Sequence, residues 1–167
     1  RSRQGFEDDA ESAMLSSDSS PTFGSITVRG NLVKAGPAGI YAFGPGIPEV
    51  LRVFRPARIT NINGVTVTGT SGDASPCPGC RVDFYLDDND AIAEALAHLG
   101  SVVADGSGNF TFSLAQALTA GQGIRTMSTS LQSGVMAGYG AGTTTQASAL
   151  YTPPVPLTNL TISGPTT

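Results

Sequence analysis

Between residues 57 and 153 the chain reads as seven short segments, mostly alternating apolar and polar, broken by Gly, Asn, Asp and Pro. Val65, Val67, Val82, Phe84, Val102, Phe110, Phe112, Ile124 and Met127 recur at or near the two-residue period of a strand, with Thr, Ser, Arg and Asp between them. Side chains that alternate in this way face opposite sides of a sheet, so one face can be buried while the other stays wet. Segments at this spacing predict an all-β fold, an antiparallel β-sandwich, with strands at 57–62, 65–70, 81–87, 97–104, 109–115, 123–130 and 144–151.

The breaks between these segments have a chemical reading. Asn63-Gly64 suits the positive φ of a tight hairpin, Asp105-Gly106-Ser107-Gly108-Asn109 is a longer glycine turn, and Gly121-Gln122-Gly123 is expected to close the next hairpin. One stretch departs from the pattern. Asp90 to Leu99 is rich in Ala, and Asp90 stands at a cap position, so a short helix is expected to bridge the third and fourth strands.

Outside the sandwich the chain divides into three parts. Residues 1–20 are a polar, acidic, Ser-rich leader, disordered if alone, with Phe6 to Leu15 able to form one or two helical turns. Residues 21–56 hold further strand-like runs, Ser25 to Arg29, Gly39 to Phe43 and Glu49 to Arg55, too few to make a core of their own. Residues 154–167 form a tail: the polyproline-like stretch from Tyr151 to Pro156 leads into it, before the strand-like run Leu157 to Ser163.

Composition narrows the class. At 167 residues the chain can bury one good core with extensions, and its 21 glycines and 11 prolines disfavour long helices. Only 13% of residues are charged, against about a quarter in ordinary soluble domains. Lys34 is the sole lysine, and Thr and Ser supply the polar faces. A formal charge of −4 with no basic stripe to neutralise phosphates argues against a nucleic-acid partner. No apolar run approaches the roughly 18–20 residues needed to cross a bilayer, so no membrane insertion is expected. No secretion signal is visible, which leaves a cytosolic chain or a mature exported one. Hydroxyl-rich surfaces and the cysteines favour an extracellular or cell-surface location.

Those cysteines are Cys77 and Cys80, in Ser75-Pro76-Cys77-Pro78-Gly79-Cys80. Redox chemistry at a CxxC pair wants the first cysteine at a helix N-terminus, whereas Cys80 leads straight into the strand Arg81 to Tyr85. A structural zinc needs two further Cys or His ligands, and His98 is the only histidine. The remaining reading is a local disulfide that fixes the turn between two strands and implies an oxidising compartment.

The runs Val65 to Thr70, Cys77 to Tyr85 and Asp87 to Asp90 resemble a secreted bacterial module, as do Leu99 to Ser101, Ala104 to Phe112 and Gly123 to Thr126. The chain is similar to bacterial Ig-like domains with a CxxC turn that follow right-handed β-helix repeats in surface proteins. Ile26 to Val33 with Ala38 to Phe43 is similar to a rung of such a β-helix. The resemblance implies an Ig-like sandwich and an exported location, and it carries no catalytic residues. The chain departs from the pattern at Leu131 to Gly142, a long Gly-rich insert before the last strand.

Few residues can carry chemistry. Asp87, Asp88 and Asp90, with Asn89, cluster the hard oxygen ligands that calcium takes. They lack the central Gly and the distal bidentate Glu of a complete calcium loop, so a solvated turn is the competing reading. His98 has no cysteine or serine elbow beside it and reads as a surface or strand-edge residue. Asp8, Asp9, Glu11, Glu49, Asp73 and Glu94 show no pairing of the kind a glycosidase needs. Tyr41, Tyr85, Tyr139 and Tyr151, without any Trp, make a poor sugar-stacking platform. Asn109-Phe110-Thr111 and Asn159-Leu160-Thr161 match glycosylation sequons at about the frequency chance allows.

These observations lead to a non-enzymatic structural subunit that assembles with copies of itself. Strands around Ile26, Val28, Ile40 and Phe43, or around Leu160 and Ile162, are expected to complete the sheet of a neighbour and build an extracellular filament or pilus-like polymer. The rival is an adhesin or a ligand-binding accessory module of a larger secreted protein, with a cell-surface or glycan contact at the 131–142 loop and the 87–90 turn. No cofactor is expected beyond the calcium reading.

Overall fold

The computed structural model describes residues 54–73, 76–90, 92–131, 142, 144–145 and 147–153. The leader, the runs carrying Ile26, Val28, Ile40 and Phe43, most of the 131–142 insert, and the tail with Leu160 and Ile162 lie outside the described residues.

The described chain forms six strands: β1 (Arg58–Asn63), β2 (Thr66–Thr70), β3 (Arg81–Asp87), β4 (Ala97–Val103), β5 (Asn109–Ser113) and β6 (Gly123–Thr129). They make two three-stranded antiparallel sheets, in the orders β1-β2-β5 and β4-β3-β6. All six lie within two residues of where the alternation places them. The sheets face one another across a core to which Ile59, Ile62, Val67 and Phe110 contribute from the first and Val82, Phe84 and Ile124 from the second. Phe84 is its centre. Its ring stacks on Phe112 with centroids 4.2 Å apart and meets the edge of Phe110 at 5.3 Å. Truncating a buried Phe costs about 3–5 kcal/mol, so this aromatic trio ties the two sheets into one unit.

The β1–β2 hairpin turns on Gly64 and Val65, with Asn63 paired to Thr66. Gly64, at φ +58°, therefore fills the first central position, where a II′ turn requires positive φ, and Asn63 stays in the ladder. Asp105 organises the β4–β5 turn: its Oδ1 accepts the Ser107 and Asn109 N–H groups. Gly121 has φ +84°, but the turn at 119–122 closes no hairpin, because β5 and β6 belong to different sheets and the chain crosses between them here.

The expected helix at 90–99 is absent among the described residues. Asp90 does cap locally, its Oδ1 accepting the Ile92 N–H at 2.8 Å. The following amides are spent elsewhere: Glu94 N–H donates to Asp87 Oδ2 and Leu96 N–H to the Leu86 carbonyl. A two-turn helix nucleates poorly, and pairing of Ala97–Val103 with β3 outweighs the Ala propensity. A bulge at Leu99 lets Tyr85 pair with His98 and Phe84 with Gly100. Gly100 is required there: its φ is +137°, and a Cβ would sit 2.9 Å from the Phe112 ring.

The expected seventh strand is a ribbon rather than a ladder. Residues 144–151 touch β6 through two isolated bridges, Thr129–Thr144 and Ile124–Tyr151. Thr145 and Ser148 each give their N–H to a β6 carbonyl, Ser128 and Thr126 respectively. Each then takes back the N–H of that same β6 residue on its hydroxyl. Contacts thus fall at 145, 148 and 151 against 128, 126 and 124, three residues of ribbon for every two of strand.

Among the described residues no helix is long and apolar enough to cross a membrane.

Candidate functional site

In the sheet β4-β3-β6, strands β3 and β6 are buried on both faces, while β4 is half-exposed at the edge. One face meets the core, and the other carries Asp83, Tyr85 and Asp87 of β3 beside Arg125 and Met127 of β6, all with cross-strand partners in register. A buried carboxylate is costly unless paired and hydrogen-bonded, so the partners of these groups decide what the face can do.

Asp87 is fully buried and fully engaged. Oδ1 accepts the Asn89 N–H at 3.1 Å, Oδ2 accepts the Glu94 N–H at 3.1 Å, and Arg125 Nε donates to Oδ2. Arg125 also reaches the Ser148 carbonyl with Nη1 at 3.0 Å, so one guanidinium joins β3, β6 and the ribbon. Burial pushes the Asp87 carboxyl upward, but the Arg125 hydrogen bond, the Glu94 and Asn89 amides and the guanidinium charge outweigh it and hold the group below its usual range. Asn89 accommodates the tight turn by adopting φ +59°, a left-handed conformation that Asn tolerates better than most residues.

The structure brings the three predicted calcium ligands together and adds one. Carboxylate oxygens of Asp87, Asp88, Asp90 and Glu94 lie within 4.8 Å of one another. Asp88 and Asp90 are exposed, whereas Glu94 is buried. Glu94 shows no pairing in the sequence; the path of the 88–96 loop brings it to Asp87. The geometry casts Asp87 as the pin of the 88–96 loop: a cation seated on its Oδ2 would compete with Arg125. Arg125 was not singled out from the sequence, although a lone arginine between Ile124 and Thr126 in an otherwise uncharged strand was the available signal.

His98 stands on β4, at a sheet edge, as expected. Its Nε2 lies 3.2 Å from Oδ1 of buried Asp83, and its ring is 5.2 Å from that of Tyr85. A histidine held by a carboxylate is half of a catalytic triad, but among the described residues no hydroxyl hydrogen-bonds to His98. Tyr85 is buried and offers no face to a sugar. Asn109 of the first sequon is exposed at the start of β5.

Cys77 and Cys80 lie at disulfide-bonding distance, with Cα atoms 5.5 Å apart and both side chains buried. Their turn is anchored to its surroundings. Ser71 Oγ accepts the Cys77 N–H and donates to the Cys77 carbonyl, while Cys80 accepts the Ala104 N–H. The pair is compatible with an oxidising extracellular environment.

Comparison of the chain with protein-family models, with curated proteins and with solved structures finds no match.

Proposed function

We propose that the chain is an extracellular structural subunit, built on an Ig-like sandwich, that polymerises by lending a strand to the next copy. The strand orders support the Ig-like reading. Two sheets of β1-β2-β5 and β4-β3-β6, with the 144–151 ribbon beside β6, follow the Greek-key exchange of strands between sheets seen in such sandwiches. The CxxC turn at 77–80 enters β3, as in the bacterial modules that the chain resembles.

The observation that carries the assembly reading is an imbalance of edges and strands. Among the described residues β1, β4 and β5 each pair on one side only, while the sequence holds further strand-like runs before residue 57 and after residue 153. Adding such a run to the edge of another copy supplies main-chain hydrogen bonds and buries its apolar side chains. A contact of that kind between unlike surfaces does not close on itself, so it propagates a fibre.

Negative-stain microscopy of the purified chain over a rising concentration series tests this. Fibres of uniform width are expected. Single particles at every concentration would defeat the filament reading and favour the accessory binding module.

A further inference from the structure

We infer that the edge of β5, walled by the end of β4, accepts residues 159–163 of a second copy of this chain; the inference rests on the filament reading and names its contact. β1, β4 and β6 carry features that discourage pairing: β1 is bulged between Ile59 and Asn61, β4 is bulged at Leu99, and β6 is covered by the three-for-two ribbon. Bulges and irregular edge cover are how sheets avoid templating a neighbour. At the other side of the sandwich β5 keeps an unbroken register with β2 over all five residues, from Thr66–Ser113 to Thr70–Asn109. No described residue pairs with its outer edge. Next to it lies an open groove of about 290 Å³ lined by Val102, Val103, Asp105, Asn109, Phe110 and Thr111. Val103, 49% exposed, is one of the few large apolar side chains left on the surface among the described residues.

The occupant is indicated by a repeat. β5 reads Asn109-Phe110-Thr111-Phe112-Ser113, and the tail reads Asn159-Leu160-Thr161-Ile162-Ser163. Asn, Thr and Ser recur at the same places, with an apolar residue at each position between. Phe110 and Phe112 turn inward to Phe84, so Thr111 is on the outer face. A tail laid beside β5 in either direction, with Thr161 opposite Thr111, sets Leu160 and Ile162 level with the two phenylalanines. Cross-strand apolar pairs and Thr–Thr pairs are among the favourable ones.

Tyr151 is fixed to β6, across the sheet from β4. Because β5 faces β3 through Phe84, Phe110 and Phe112, a strand beyond β5 lies about three strand spacings sideways and one sheet spacing across from Tyr151, about 17 Å straight through the core. Eight residues of Pro-rich chain span about 25 Å, so length does not select the donor; a second copy is chosen on the filament reading, and the chain's own tail is the rival that the cross-link separates.

The test uses the full-length chain. Thr111→Cys and Thr161→Cys chains, mixed and mildly oxidised, are expected to give a cross-linked dimer, and the doubly substituted chain a covalent ladder lost on reduction. The Leu160→Asp/Ile162→Asp variant is expected to lose fibres while keeping the wild-type melting temperature. A synthetic peptide of residues 157–165, added in excess, should shorten wild-type fibres. Fibres unaffected by the tail substitutions, or a cross-link confined within single chains, would overturn this contact and leave the filament reading standing. A wild-type chain that never forms fibres would overturn both.

Discussion

Asp87 shows how one carboxylate can be structural in a place where its neighbours advertise a metal. Its oxygens are occupied by two backbone amides and a guanidinium, and breaking a buried pair of this kind by removing one partner costs about 3–5 kcal/mol. Asp87→Asn is therefore expected to lower the urea midpoint sharply at neutral pH, with a double-mutant cycle against Arg125 assigning the shared part. The pH dependence follows from the depressed carboxyl. The unfolded chain holds its Asp87 proton to higher pH than the folded one, so the stabilisation is complete above the ordinary Asp value, about 3.9. It fades as pH falls through the lower, folded value. The gap between wild type and Asp87→Asn should thus close in acid and be constant from about pH 5 upward. A gap that widens in acid would contradict the pairing. Cys77 and Cys80 act on a smaller scale. A bridge closing so short a loop contributes about 2 kcal/mol or less on the chain-entropy view, so reduction should move the urea midpoint modestly and leave the far-ultraviolet spectrum β-type.

Among the elements, the 144–151 ribbon is the one held least like a strand, and beside its main-chain bonds to β6 two hydroxyls take the place of ladder carbonyls. Ser148→Ala and Thr145→Val each leave a β6 amide, Thr126 or Ser128, without its acceptor, at about 1–3 kcal/mol for a buried donor. Hydrogen exchange should quicken at those two amides first, while the Ile124 amide, bonded to the Tyr151 carbonyl, keeps its protection. This ribbon also marks the boundary of what sequence could reveal. Period-two alternation recovers all six strands because each presents one apolar face to a shared core, and periodicity records that burial directly. It fails where a third period operates: contacts at 145, 148 and 151 fall to small hydroxyl residues and one Tyr, and nothing in their hydropathy differs from an ordinary edge strand. The 90–99 segment failed for another reason. Its Ala content speaks to local preference, whereas its path is decided by Asp87 and Leu86 claiming the Glu94 and Leu96 amides. The three aspartates at the candidate site were legible as a cluster, but Glu94 and Arg125 were not. Their places depend on that loop and on strand register, neither of which is a local property.

At the scale of the whole molecule, the scarcity of charge predicts what kind of force would hold copies together. The chain carries 9 basic and 13 acidic residues, and its best-formed ion pair, Asp87–Arg125, is spent inside the fold. The proposed contact at β5 offers Asn, Thr, Ser and apolar side chains with Asp105 as its one charged group, and residues 159–163 bring no charge to meet it, so its free energy would come from main-chain hydrogen bonds and from burying Leu160 and Ile162. Neither is screened by salt. What salt does screen is the mutual repulsion of subunits that each bear a net charge of −4, and at about 1 M the screening length is only about 3 Å. Raising sodium chloride from about 0.05 M to about 0.5 M is therefore expected to shorten the lag before fibres appear, as followed by light scattering, and to leave formed fibres intact. Urea should act in the opposite sense, dissolving fibres below the concentration that unfolds the sandwich, because five residues of ladder bury far less surface than the core around Phe84. Fibres that dissolve in salt would mean that copies are joined through ion pairs, which the uncharged 159–163 tail cannot form with Asp105 at the edge of β5.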